Sequence, residues 1–254
     1  MPEASKIALV TGGARRIGKA ICTDLARHGF AVAIHCNRSR EDAEALARSI
    51  QEAGGRAAAV QADLTDMDAV SRLVEEAAAR LGPVDLLVNN ASVFDNDTVT
   101  DFAFSAWNRH FDVHVKAPVL LARQLHKALP AGQDGLIVNI IDQRVWKPTP
   151  LYFSYTLSKA TLWTATRTMA QALAPRIRVN AIGPGPTLAS MRQQQADFDA
   201  QVKALLLQRG PALPEFGAAI RYLWEARSVT GQMIALDGGQ HLAWQTPDVA
   251  GVAE

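Results

Sequence analysis

The feature that most constrains this chain is an alternation. Short apolar runs at 6–10 (KIALV), 31–35 (AVAIH), 56–61 (RAAAVQ), 84–90 (VDLLVNN), 135–141 (GLIVNII) and 176–182 (RIRVNAI) are separated by longer amphipathic stretches. Those stretches fall at 16–28, 41–53, 66–80, about 105–128 and about 153–173. A strand that is apolar at every position needs cover on both faces, and helices placed between parallel strands supply it. The expected class is α/β, a three-layer doubly wound domain. Gly29, Gly54-Gly55 and Gly82-Pro83 stand where the first three helices should close.

Segment 183–214 breaks the pattern with GPGPT, the polar MRQQQADFD, a short helical LLLQ stretch and the GPALP turn. Its place after the sixth strand predicts a lid over the crevice at the strands' carboxyl ends. No tandem repeat is present, and the last dozen residues read as a tail or an interface arm.

The 254 residues, 48% of them apolar, suit one domain spanning 1–254. With 26 basic and 25 acidic side chains the chain has no general pull toward nucleic acid or an anionic membrane, which leaves a small-molecule partner. Cys22 and Cys36 lack ligand spacing, so the reading is two buried thiols, no disulfide framework and no metal. MPEASK is not an apolar leader and no run approaches the ~20 residues of a membrane span, giving a cytoplasmic expectation.

The turn behind the first strand is TGGARRIG, residues 11–18. Glycines there let backbone N–H groups approach a pyrophosphate at a helix N-terminus, although a plain strand-to-helix turn would use them too. Arg16 stands where a close-approach glycine usually lies. The second strand runs into HCNRSR, placing Arg38 and Ser39 where an NAD site would carry an acid. A guanidinium and a hydroxyl suit a 2′-phosphate, which favours NADPH, while Arg38 read alone is also a solvated loop charge. Asp63-Leu64 and Asn89-Asn90-Ala91 end adjacent strands and outline a groove for adenine and ribose; Asp63 reads equally as a residue opening a helix.

Tyr155 and Lys159 are four apart on a predicted helix and share a face. A nearby ammonium stabilises the phenolate that a proton-donating tyrosine leaves behind. Asp142 precedes them. A carboxylate is acceptor-only unless protonated, so it serves a ketone oxygen poorly and suits a C=N bond or an aminopyrimidine, where burial would favour its neutral form. An Asp that merely caps a loop is the competing explanation. Of Trp146, Phe153 and Trp163, only Trp146 is taken as a pocket candidate.

With the glycine turn, NNA, YxxxK and PGPT in order, the chain resembles the short-chain dehydrogenase/reductase family over essentially its full length. The resemblance implies a Rossmann-like domain with seven parallel strands, a nicotinamide cofactor, Tyr155 as proton donor, Lys159 on the nicotinamide ribose, and a homotetramer. Arg16, Asp142 in place of the family serine, Phe94 and the HxxRS stretch are together similar to the pteridine reductase branch. That likeness places the cofactor on Gly12, Arg15, Arg16, Ile17, His35, Asn37, Arg38, Ser39, Asp63 and Leu64. It continues along Asn90, Ala91, Ser92, Tyr155, Lys159, Pro184, Gly185 and Thr187. It puts a pterin on Arg16, Ser92, Phe94, Asp142 and Tyr155, with Phe94 stacked on the bicyclic ring and Asp142, Tyr155 and Lys159 as the catalytic set.

One departure concerns His114, which takes the position of an asparagine that in many members supports a water-linked proton path; it reads as a relay or as a packed helix residue and stays outside the catalytic set. The expected activity is NADPH-dependent reduction of a dihydropteridine, with oxidised pterin or dihydrofolate on the same logic. The alternatives are a carbonyl or 3-oxoacyl reductase and a non-catalytic NADPH-binding sensor or scaffold.

Overall fold

Strand β1 (Lys6–Val10) shows how the sheet is covered. Ile7 and Leu9 enter one apolar cluster, and Ala8 and Val10 enter another on the opposite face. The computed structural model describes residues 6–189 and 194–246. It continues the sheet with β2 (Phe30–Cys36), β3 (Ala57–Gln61), β4 (Leu86–Asn89), β5 (Gly135–Ile140), β6 (Ile177–Pro184) and β7 (Met233–Leu236). All seven are parallel, in the order β3-β2-β1-β4-β5-β6-β7, the Rossmann-like sheet expected above.

Helices α1 (Arg16–Arg27), α2 (Arg40–Glu52) and α8 (Leu213–Glu225) cover one face, and α3 (Met67–Leu81), α5 (Ala117–Ala128) and α6 (Phe153–Leu173) cover the other. Those at 16–173 fall in the stretches that the sequence spacing marked, and α8 lies beyond them: α1 buries Ile21, Cys22 and Leu25, α5 buries Leu121 and Leu125, and α8 buries Phe216, Ile220 and Leu223. Truncating a core leucine such as Leu121 to alanine would cost about 2–5 kcal/mol. Both cysteines are free and buried. Gly29, Gly54 and Gly82 take φ of +84°, +84° and +108° at the ends of the first three helices, as the punctuation requires.

Because β1 pairs with β2 on one side and β4 on the other, the winding reverses at β1 and leaves a crevice at the carboxyl ends of the strands. Every functional candidate lies at one of those ends or on a segment that leaves it.

Two expectations are corrected. The predicted helix over 105–128 is divided into α4 (Phe104–Phe111), a π-helical turn (Asp112–Lys116) and α5. Pro118 has no N–H to give to the carbonyl four residues back, and the helix widens ahead of it. In the 183–214 segment the helix is α7 (Gln195–Lys203), not the LLLQ stretch. There Leu205 is buried, the Leu207 N–H reaches Gly238 O at 3.0 Å and Gln208 takes φ +51°, so the chain turns onto the 238 loop. Residues 190–193 of the predicted lid and 247–254 of the expected tail lie outside the described residues. Among the described residues, no helix is long and apolar enough to cross a membrane and no group of His, Cys, Asp or Glu could hold a metal.

Candidate active site

The turn after β1 is tied down from below. Thr11 Oγ accepts the N–H groups of Asn90 and Ala91, both at 3.0 Å, and Asn90 Nδ2 donates to the carbonyls of Thr11 and Gly12. Gly12 takes φ +61°. Its N–H donates to His35 Nδ1 at 3.1 Å, while His35 Nε2 lies 3.1 Å from Ala62 O. Those partners fix a neutral imidazole with its hydrogen on Nε2, and burial holds its pKa down at about 4. His35 therefore supports the glycine turn from beneath, with both ring nitrogens spent inside the fold. A Cβ on Gly18 would stand 2.1 Å from Gly12 O, so only glycine lets α1 begin this close to the turn.

The opening of α1 is suited to an anion. Its cap residue Arg15 supplies no side-chain acceptor and its first turn has no acid, which leaves helix N–H groups to an incoming phosphate. Arg15 is ion-paired with Asp42 at 2.5 Å. Arg16 takes φ +51°, a left-handed conformation that costs a side-chain-bearing residue about 1–2 kcal/mol. Its guanidinium spans the cleft and donates to the carbonyls of Leu188 and Ala189 at 3.1–3.2 Å. The residue that replaces the usual glycine thus clasps the start of the predicted lid.

At the end of β2, Ser39 begins α2 without a side-chain capping bond, leaving its hydroxyl beside exposed Arg38. Asp63 accepts the N–H and hydroxyl of Thr65 at 2.9 and 2.8 Å. Its carboxyl is held below the usual range first by the Thr65 N–H, with Asn37 and Arg38 assisting. Asp63 shapes the loop, while Asp66 is the residue that caps α3, through the N–H groups of Asp68 and Ala69.

Across the crevice, α6 brings Tyr155 and Lys159 to one face, both almost wholly buried. Tyr155 donates its hydroxyl to Asp142 Oδ2 at 2.9 Å, and Asp142 Oδ1 accepts the Arg144 N–H at 2.8 Å. Lys159 Nζ donates to Ile140 O at 2.8 Å and lies 5.7 Å from the centre of the Tyr155 ring. Burial pushes the Asp142 carboxyl up, and it pushes the Lys159 ammonium down to about 8. Tyr155 is driven well above the ordinary tyrosine range, by burial first and then by Asp142. The ammonium does not pre-ionise the phenol in this arrangement. Ser92 is close enough to oppose that rise.

Phe94 stacks on Tyr152 with ring centres 4.3 Å apart and meets Tyr155 edge-on at 4.7 Å. Its exposure, 41%, leaves part of the ring open to the cleft. Arg144 lies over the Tyr152 ring at 4.8 Å, backing the stack.

A single cleft of about 1560 Å³ collects every residue assigned above to cofactor, substrate or catalysis. It also takes in Arg109, Gln143, Arg144, Tyr152 and Phe198, which sequence reasoning did not select. Tyr152 takes φ +56° without a glycine to mark it, and Arg144 lies in a single 3-10 turn (Gln143–Val145) that Asp142 caps and no motif announces. Trp146, the pocket candidate, is not on the wall: it packs against His241 at 4.9 Å and edge-on to Trp163 at 6.4 Å.

Residues 6–200 match the family described as short chain dehydrogenase. The crystal structure of FolM alternative dihydrofolate reductase 1 from Brucella canis, complexed with NADP, superposes with a TM-score of 0.95 at 65% identity, covering 97% of this chain and 98% of that one. Its Brucella suis counterpart, also in complex with NADP, gives 0.95 at 64%, covering 98% and 100%. More distant is the 3-oxoacyl-[acyl-carrier-protein] reductase FabG of Staphylococcus epidermidis, 29% identical, covering 94% of this chain and all of that one. With the match extending from β1 into α7, the chain belongs to the short-chain dehydrogenase family.

Proposed function

We propose that the chain is an NADPH-dependent oxidoreductase that reduces pterins, taking a dihydropteridine to its tetrahydro form. The observation that carries this reading is the Tyr155–Asp142 hydrogen bond at 2.9 Å, facing a cleft with the partly open Phe94 ring on its wall. A carboxyl beside the proton donor suits a nitrogen heterocycle. The NADP-bound Brucella reductases at 65% and 64% identity support both the cofactor and a pterin- or folate-like substrate.

The donor set fits NADPH. The uncapped N-terminus of α1 with Arg15 and Arg16 would hold the pyrophosphate, and Arg38 with Ser39 the 2′-phosphate. Asp63, Leu64 and Asn90 would flank adenosine, and Lys159, Pro184, Gly185 and Thr187 the nicotinamide half. When bound, NADPH supplies the hydride equivalent of the reduction. Tyr155, kept protonated by its surroundings, gives its proton to the ring nitrogen beside the reduced carbon. Lys159 stabilises the charge left on the phenolic oxygen. Asp142 binds the ring's N–H groups as a carboxylate, or donates to a ring nitrogen in the neutral form that burial favours.

NADPH oxidation with dihydrobiopterin, dihydromonapterin and dihydrofolate beside a panel of ketones tests the reading. Ketone turnover without pterin turnover would favour the 3-oxoacyl-type reductase, which the Tyr155–Lys159 pair also permits. Cofactor binding with no hydride transfer to any substrate would mark a sensor. The family resemblance adds a homotetramer, to be checked by light scattering after gel filtration.

A further inference from the structure

Behind the Phe94 wall stand two buried histidines that the proton-donating group does not use. His110 lies in the last turn of α4 and His114 in the π turn, with exposures of 0% and 1% and rings 5.7 Å apart at 18°. They span the same gap in the same way. His110 Nδ1 is 2.8 Å from Ser154 Oγ, and its Nε2 accepts the Asp95 N–H at 3.3 Å. His114 Nδ1 is 2.8 Å from Ser158 Oγ, and its Nε2 accepts the Val93 N–H at 3.2 Å and lies 3.0 Å from Ser92 Oγ.

Hydrogen accounting assigns the tautomers. Ser154 gives its hydroxyl hydrogen to Asp97 and Ser158 gives its own to Tyr155 O at 2.7 Å. Each serine oxygen must therefore accept from a histidine Nδ1–H, which leaves each Nε2 as a lone pair aimed at the loop amides. The two imidazoles are rungs between the 92–97 loop, which carries Ser92 and Phe94, and the start of α6, which carries Tyr155 and Lys159.

We infer that His110 and His114 are positioning residues that clamp the loop after β4 to α6, with His114 fixing where the Phe94 wall of the cleft stands relative to Tyr155. A protonated His114 would point a hydrogen at the Val93 amide, so that rung works only in the neutral form, whereas His110 Nε2 also has the Asp95 carboxylate 3.9 Å away. Burial favours that form at both sites. Lys159 reinforces it at His114 and, with Arg109, at His110, where Asp95 and Asp97 oppose it. The rung contacts end on residues flanking Phe94 and on the first turns of α6, and none reaches the turn at 11–18 or Arg38. Losing a rung should loosen the substrate wall and leave the phosphate-binding end of the cofactor site, which carries most of the cofactor's charge contacts, intact.

The substrate-wall role rests on the pterin-reductase reading, whereas the clamp itself does not, and the test separates them. Hydrogen exchange of residues 92–97 and 11–18, NADPH affinity, and kcat and KM with dihydrobiopterin are measured for the full-length wild type, His114→Leu and His114→Gln. The leucine variant should speed exchange across 92–97 by about tenfold or more with 11–18 unchanged. Its NADPH affinity should stay within about twofold, while KM rises about tenfold and kcat falls less. Glutamine carries a donor and an acceptor but no titratable proton, so it should restore most of both losses. If the leucine variant does not fold, His114→Ala, which removes both ends of the rung, is read in the same way. Unchanged exchange at 92–97, or a fall in NADPH affinity matching the rise in KM, would overturn the clamp. A glutamine variant with a restored loop but leucine-like turnover would overturn positioning in favour of a proton relay. A wild type inert toward pterins with the exchange pattern intact would uphold the clamp and sink the reductase reading.

Discussion

Tyr155 and Asp142 share one hydrogen bond of 2.9 Å, and the carboxyl that accepts it also helps drive the phenol's pKa up. The pair separates two effects of mutation. Tyr155→Phe removes the proton donor and should lower turnover by about two orders of magnitude or more with NADPH affinity unchanged. Asp142→Ala removes a like-charged neighbour, so the alkaline limb of the kcat/KM profile should move to lower pH even as pterin turnover falls. Steady-state kinetics across pH read both; an alkaline limb that stays in place would discard the coupling.

Lys159 is buried with its pKa lowered from 10.5 to about 8. A depressed folded-state pKa means that the site's contribution to stability is complete above pH 10.5 and is lost as pH falls through about 8. Near neutrality the buried ammonium costs on the order of 3 kcal/mol. Lys159→Met should therefore be inactive yet melt several degrees higher than wild type at pH 6.5, a gain that closes toward pH 10.5. Thermal denaturation at the two pH values checks the sign.

Arg38→Ala should weaken NADPH about tenfold or more and leave NADH nearly unaffected, because only the former carries a phosphate for the guanidinium to pair with. Fluorescence titration with both cofactors distinguishes this from a general loss of surface charge, which would lower the two affinities together.

Arg16→Gly should relieve about 1 kcal/mol of left-handed strain at φ +51° while releasing the carbonyls of Leu188 and Ala189. The expected result is a melting temperature at or above wild type with NADPH binding about tenfold weaker. A drop in stability instead would mean that the clasp outweighs the strain.

The paired faces of β1 and the stripes of α1–α3 were legible because burial on both sides of a sheet leaves periodic marks in the residues themselves. β7 leaves none, since its four residues are all half-buried at the sheet's edge. The π turn also escapes prediction, because 104–128 keeps a helical pattern through it. Asp142, Tyr155 and Lys159 could be selected by spacing and chemistry, but the span from Arg16 to Ala189 joins residues 173 apart with no shared motif. The His110 and His114 rungs likewise exist only after α4 and α6 pack together.

The seat beneath the glycine turn has a consequence for the order of assembly. Thr11 and Gly12 are held by Asn90 and Ala91, up to 80 residues away, so β1, β2 and β3 can wind together locally without completing the turn. Closing that distance costs loop entropy that is recovered only when β4 docks. A chain still lacking its fourth strand has the glycines, Arg16 and Arg38 but no rigid place for a phosphate, so cofactor recruitment should follow the docking of β4 rather than guide it.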